Sequence, residues 1–296
     1  VRCALAQGRL QALSRCSRNR TRCSRRHSRS PAPAATRRRW CSSNSSVALR
    51  AYTNLLANGI AGGRDWPAAI ARLRAEARID ARRAQMLSLI ERMDLTSDGA
   101  PRALPDAEKL SDSPEVALFR TLFTDAECDF LQLVAEPSYA ESLVLDSHGR
   151  EHRDTIRTSD GAPMHWLVED PLIHALNRRL AAASGTDYNQ GEPLLILRYR
   201  PGQQYRNHYD ALPGVDNQRF KTALVYLNQG YGGGETAFTK TDLKVAGRKG
   251  DCIVFRNSLG NGRYDPMAEH AGLPITSGVK YLASRWIRER RHLPEV

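Results

Sequence analysis

With 296 residues, the chain is long enough for one large domain or two ordinary ones, and for a sizeable buried core. Its formal charge of +12 sits at one end: 13 of the 44 Lys and Arg fall in residues 1–50, which hold no Asp or Glu, leaving 31 basic against 32 acidic side chains elsewhere. A remainder this close to neutral argues against a polyanion-binding surface spread over the body, and no apolar run approaches the ~20 residues of a membrane span.

Residues 1–46 are rich in Arg, Ser and small residues with almost no large aliphatics. Such a segment buries too little apolar surface to offset its ordering entropy and is predicted to be disordered. It reads equally as an organellar transit peptide, a nucleic-acid-binding arm or upstream read-through. Cys3, Cys16, Cys23 and Cys41 match no zinc-ligand spacing, and Cys128 and Cys252 lie in apolar stretches as core thiols. A reducing, cytoplasmic setting is expected, with an N-terminal targeting segment left open.

Residues 47–95 carry apolar side chains at three- and four-residue spacing in "VALRAYTNLLANGIAGG" and "DWPAAIARLRAEARIDARRAQMLSLIERM", which predicts a helical hairpin. Asp65 is the expected N-cap of the second helix, with Pro67 in its first turn. The stretch reads as a helical appendage packed on the main domain, and it also resembles a single degenerate helix pair of the Sel1 type. "TSDGAPRALPDAEKLSDSP", residues 96–114, is Pro-, Asp- and Ser-rich and is expected to be a linker. The main domain then spans 115–296.

Thr124 with Glu127 forms a capping box ahead of a helix that turns Phe130, Leu131 and Val134 inward. A second helix is expected from Pro171 to Ala183. Beyond Gly191 the period changes: "PLLILRYR", "KTALVYLN", "DCIVF" and "YLASRWIR" are short β-branched or aromatic runs separated by "PGQQ", "GYGGGE", "GRKG" and "LPITSG". The fold class is α+β, an antiparallel sandwich or barrel buttressed by helices, with its core over 192–290.

Within "QQYRNHYDAL", strand alternation returns residues i and i+2 to one face, so His208 and Asp210 can point together. By itself a His-x-Asp pair is commonplace on surfaces. A third candidate, His270, precedes the turn into the last strand. Two imidazoles and one carboxylate on one octahedral face suit non-haem Fe(II) better than zinc, which is more often tetrahedral. An α-keto acid chelating such a metal leaves a far carboxylate needing a cation, and Lys280 on the following strand is placed to supply it. Tyr199 can add a phenolic hydrogen bond. His148, His152, His165, His174 and His292 have no ligand partner in sequence and are expected at the surface or in helix caps.

The stretches "RTSDGA" (157–162), "LRYRPGQQYRNHYD" (197–210), "QRFKTALVYLN" (218–228), "GGET" (233–236), "GDCIVF" (250–255) and "EHAGLPITSGVKYLASRWIR" (269–288) together resemble the prolyl 4-hydroxylase-type family of Fe(II)- and 2-oxoglutarate-dependent dioxygenases. The resemblance implies a double-stranded β-helix, or jelly-roll, and hydroxylation of a peptidyl residue, above all proline, with ascorbate as reductant. Dioxygen is consumed, and 2-oxoglutarate leaves as succinate and carbon dioxide. It implies His208, Asp210 and His270 as iron ligands, Lys280, Tyr199 and Thr236 around 2-oxoglutarate, and Tyr205, Arg219 and Trp286 along the peptide groove. Packing is the plainer role for those last three. Two alternatives stay open: a hydroxylase of a free amino acid or other small molecule, and a nucleic-acid-binding protein with an Arg-rich arm. Against the second, DNA-repair members of the superfamily usually hold the cosubstrate with arginine, where this chain presents Lys280.

Overall fold

Period-two alternation in the C-terminal half gives the main sheet two different faces, and the site sits on one of them. The computed structural model describes residues 48–292 except 61, 143, 146–150, 153, 154 and 261. The expected tail, 1–46, lies outside the described residues, as does His148; of His152 only the backbone is described.

In chain order, the strands that frame the site are β1 (Ala107–Asp112), β2 (Glu115–Phe119), β3 (Ala140–Glu141), β4 (Asp160–Met164), β5 (Leu194–Tyr199), β6 (Tyr205–His208), β7 (Arg219–Tyr226), β8 (Thr236–Phe238), β9 (Lys244–Val245), β10 (Cys252–Arg256), β11 (His270–Gly272) and β12 (Lys280–Arg288). An eight-stranded sheet runs β1-β2-β10-β7-β12-β5-β4-β3, and a four-stranded sheet runs β9-β8-β11-β6. Every pairing in them is antiparallel.

One face of the large sheet sends Leu194, Ile196, Val225, Val254 and Ala283 into a core shared with the helices. The opposite face sends Leu197, Leu224, Tyr226, Ile253 and Leu282 against Phe238 and Val245 of the small sheet. This is the helix-buttressed jelly-roll expected from the alternation.

Five helices share the core on the first face: α1 (residues 48–58), α2 (Trp66–Ala77), α3 (Ala81–Ile90), α4 (Asp125–Ala135) and α5 (Pro171–Ser184), with α4 and α5 packed on the sheet and α3 on α5. Asp65 caps α2 by accepting from the Ala68 N–H at 3.0 Å. The expected hairpin is three helices instead of two, because Asp80 accepts from the N–H groups of Arg82 and Arg83 and starts α3 where continuous helix was predicted. Ala57, Trp66, Leu73, Met86 and Leu89 belong to the same core as Leu131, Leu172 and Leu176, so these helices extend the main core.

The expected linker is also only partly a linker. Residues 107–112 form edge strand β1, paired with β2 and through it with β10. Its alternation was masked by Asp, Glu, Lys and Ser, which an edge strand tolerates because much of it stays in water. Strand-forming residues therefore begin well before 192. Residues 47–296 cluster as one compact unit.

Cys128 and Cys252 are buried free thiols. No helix among the described residues is long and apolar enough to cross a membrane.

The capping box at the start of α4 is complete: the Glu127 N–H donates to Thr124 Oγ1 at 3.3 Å and the Thr124 N–H to Glu127 Oε2 at 2.8 Å. Glu127 also receives the Arg179 guanidinium at 2.8 and 3.1 Å, tying α4 to α5. Thr124→Ala should lower stability by about 1 kcal/mol, the usual loss of an N-cap hydroxyl. A urea titration with an unchanged midpoint would contradict this.

Candidate active site

Strands β6 and β11 are neighbours in the small sheet, and their register sets His270 opposite His208. Asp210 lies in a bend two residues past the end of β6, so the bend and not the pleat aims its carboxylate. His208 Nε2 is 3.6 Å from Asp210 Oδ1, and His270 Nε2 is 3.7 Å from Asp210 Oδ2. All three candidate ligand atoms fall within 4.8 Å of one another. These separations are too long for hydrogen bonds and leave room for an ion between the donors.

Each ring's other nitrogen is already engaged. His208 Nδ1 meets the Arg206 carbonyl at 2.7 Å and His270 Nδ1 the Ala268 carbonyl at 3.0 Å. A carbonyl only accepts, so both Nδ1 atoms carry a proton, which leaves each Nε2 as the nitrogen turned inward toward Asp210. Burial, reinforced by His208 and opposed by Asp210, pushes the His270 pKa down to about 4, so the ring is neutral near pH 7. Burial alone would raise the Asp210 pKa, but the His208 and His270 rings outweigh it and hold the carboxyl well below the usual range. Two imidazoles and one carboxylate form a donor set that fits a divalent ion.

Alternation along β12 turns Lys280, Leu282, Ser284 and Trp286 to one side, and all four line the same open cavity as the two histidines. Lys280 is only 2% exposed and stands opposite Tyr199 in the β12–β5 register. Its Nζ is 5.9, 5.3 and 6.0 Å from the ring centroids of Tyr199, Tyr226 and Tyr231, and it donates to the Gly234 carbonyl at 2.5 Å. Gly234 has φ +74°, and a Cβ there would lie 2.4 Å from Ile275 Cδ1, so only glycine lets this carbonyl approach. Lys280 forms no ion pair among the described residues; burial, only partly offset by Glu235, pushes its pKa down to about 7. A buried cation of this kind suits an anionic ligand. Tyr199 and Thr236 line the cavity beside it, and the Thr236 and Tyr226 hydroxyls are 3.0 Å apart.

The three expected groove residues divide. Tyr205 stacks on His208 at 3.4 Å between centroids, and Trp286 lines the cavity wall. Arg219 stands elsewhere: it is 9% exposed, does not line the cavity, and is drawn to Glu192 at 2.7 and 2.9 Å. Its guanidinium lies 3.8 Å over the Trp286 ring, and its Nη1 reaches the Asp210 carbonyl at 3.5 Å. A buried carboxylate takes the nearest fork of donors, which leaves this arginine a supporting place behind the site. His174, expected at the surface or in a cap, is fully buried, with Nδ1 2.9 Å from Glu169 Oε1.

Sequence reasoning gave no role to Arg157, Thr222 or Asn257. The Arg157 guanidinium lies 4.9 Å from the Tyr205 ring and 5.9 Å from the Trp286 ring, at the cavity wall. Thr222 shares the alternation of Leu224 and Tyr226, a signal present in "KTALVYLN". Nothing local marks Asn257.

Residues 194–288 match the 2OG-Fe(II) oxygenase superfamily. Prolyl 4-hydroxylase 1 of Arabidopsis thaliana is 30% identical over 203 residues, covering 62% of this chain and 72% of that protein. Probable prolyl 4-hydroxylase 6 of the same plant is 32% identical over 208 residues, with the same two coverages, 62% and 72%. Among solved structures, a viral collagen prolyl hydroxylase of Paramecium bursaria Chlorella virus-1, in complex with 2OG, aligns with a TM-score of 0.46 and 27% identity over 60% of this chain and 98% of that one. The chain belongs to the 2OG-Fe(II) oxygenase superfamily, in the branch that holds the prolyl 4-hydroxylases. It is a dioxygenase that uses Fe(II) and 2-oxoglutarate.

The charge state of Lys280 yields a sign for cosubstrate binding. A carboxylate is held by the protonated amine, which burial disfavours above about pH 7. Anaerobic calorimetry of the Fe(II)-loaded chain should therefore show 2-oxoglutarate affinity falling as pH rises from about 6.5 to 8.5. Lys280→Ala should lose about 3–5 kcal/mol of binding and flatten that dependence. An unchanged slope in the variant would contradict the pairing.

Proposed function

We propose that this chain hydroxylates peptidyl proline, with His208, Asp210 and His270 holding Fe(II) and Lys280 holding the distal carboxylate of 2-oxoglutarate. The observation that carries the reading is the pairing of one buried, acid-free lysine with one inward-facing His-Asp-His set in a single cavity. Residues with no ligand to hold would leave Lys280 buried as a bare cation, an arrangement that burial strongly disfavours.

Bound there, Fe(II) and 2-oxoglutarate supply the power to activate dioxygen; the cosubstrate leaves as succinate and carbon dioxide, and one substrate C–H gains a hydroxyl. The chain's own groups do the rest. Lys280 exchanges its bond to the Gly234 carbonyl for the cosubstrate's far carboxylate, while Tyr199 and Thr236 offer hydroxyls beside it. Leu197, Leu224 and Leu282 line the same cavity and limit water around the reacting centre. Tyr205 and Trp286 give flat apolar surface at the wall, which suits a pyrrolidine ring, and the relatives named prolyl 4-hydroxylases support that substrate. Ascorbate is the inferred reductant. Two buried free thiols are compatible with a reducing, cytoplasmic setting.

Purified chain with Fe(II), ascorbate, 2-oxoglutarate and a Pro-containing peptide should yield succinate and hydroxylated peptide in step, detected by mass spectrometry. His208→Ala and Asp210→Ala should reduce both products to background. A normal rate in either variant sinks the metal assignment, and turnover of free proline with inert peptides would favour the small-molecule reading.

A further inference from the structure

Asp210 is held by more than its own backbone. Its Oδ2 lies 2.6 Å from Thr222 Oγ1, and that oxygen lies 2.7 Å from Asn257 Nδ2. The three residues are 4%, 0% and 1% exposed, so no bulk water competes for these contacts. A carboxylate only accepts, and two bare acceptors do not sit 2.6 Å apart, so the single hydroxyl proton of Thr222 lies on the line to Oδ2. Thr222 Oγ1 is then left as an acceptor, which fixes the Asn257 amide with its NH₂ toward it. The same contact cannot be made with the amide reversed.

Main-chain bonds anchor both ends of this relay. The Asn257 N–H donates to the Phe220 carbonyl at 2.8 Å, and the Asn257 carbonyl accepts from the Asp265 N–H at 2.8 Å. Thr222 is fixed in the middle of the large sheet, opposite Phe255 on β10 and Trp286 on β12. The two carboxylate oxygens are thereby made unequal. Oδ2 accepts from the threonine hydroxyl and lies 3.7 Å from His270 Nε2, while Oδ1 accepts no hydrogen bond from the described residues and faces His208 Nε2 at 3.6 Å.

We propose that Thr222 and Asn257 are positioning residues that tie up Oδ2 and leave Oδ1 as the one carboxylate oxygen offered to the metal. The inference rests on the proposed role of Asp210 as a ligand. A carboxylate free to turn could present both oxygens and take an extra coordination position. The relay keeps the protein's share at three donor atoms, and the positions that cosubstrate and dioxygen require stay open.

The test is an anaerobic Fe(II) titration of the full chain, followed by 2-oxoglutarate while the visible charge-transfer absorption of the chelated α-keto acid is recorded. Thr222→Val keeps the shape and removes the proton; it should weaken Fe(II) binding about 10- to 100-fold, as loss of a ligand's hydrogen-bond partner does, and shift or weaken the band. Thr222→Ser should restore both, and Asn257→Ala should give a smaller loss in the same direction. Circular dichroism checks that each variant is folded; should Thr222→Val not fold, Asn257→Ala decides by the same two readouts. Wild-type affinity with an unchanged band in Thr222→Val, or failure of the serine to restore them, overturns the relay. Asp210→Ala is run alongside: if it binds Fe(II) like wild type, the metal reading itself fails, whereas its loss beside an unaffected Thr222→Val removes the relay alone.

Discussion

The antiparallel register of β6 against β11 is the constraint on which the site depends. It sets His270 opposite His208 although the two are far apart in sequence. A slip of one residue would turn one imidazole to the other face of the sheet and dissolve the cluster. The bend after β6 then brings Asp210 back beside both rings, with Arg219 reaching the carbonyl of Asp210 and Thr222 its side chain.

The larger sheet contributes by the same rule of alternation. Its helix-facing side is mostly aliphatic, sharing one core with α1 to α5, and buries Arg285 against the carbonyls of Asn177, Tyr188 and Glu192. Its inner side is apolar where it packs on the small sheet and carries polar side chains near the site: Thr222 on β7, Lys280 and Ser284 on β12, Tyr199 on β5. Lys280 is the least favourable of these in isolation. Fully desolvated with a backbone carbonyl as its hydrogen-bond acceptor, its ammonium is costly to bury, a cost that the proposed pairing with a carboxylate would offset. On that proposal, ligand recognition and fold stability would be coupled through one ammonium group.

Much of this was legible in the sequence, for physical reasons that can be named. Period-two runs located β5, β7, β10 and β12, and the capping box located the start of α4. His208, Asp210 and His270 could be grouped from their residue types and order along the chain, although a bend after β6, and not the strand alternation expected, brings Asp210 beside the rings. What escaped depended on tertiary partners. Edge strand β1 carries too many charges to read as a strand, and Asp80 splits a run whose composition is helical throughout. His174 is polar by type, and its burial follows from Glu169 and Tyr188 meeting it under the sheet. Arg219 was drawn from the groove by Glu192, a residue with no sequence pattern to announce it, and Asn257 meets Thr222 only after the chain has folded.

The central claim is that one buried site brings metal and cosubstrate together, with the metal contributing to the cosubstrate's binding. Anaerobic calorimetry of the full chain, adding 2-oxoglutarate before and after Fe(II), tests it most directly. The structure predicts saturation at one Fe(II) per chain and much tighter 2-oxoglutarate binding once the metal is in place. Cosubstrate affinity that is the same with and without Fe(II), or the lack of any saturable Fe(II) binding, would contradict it.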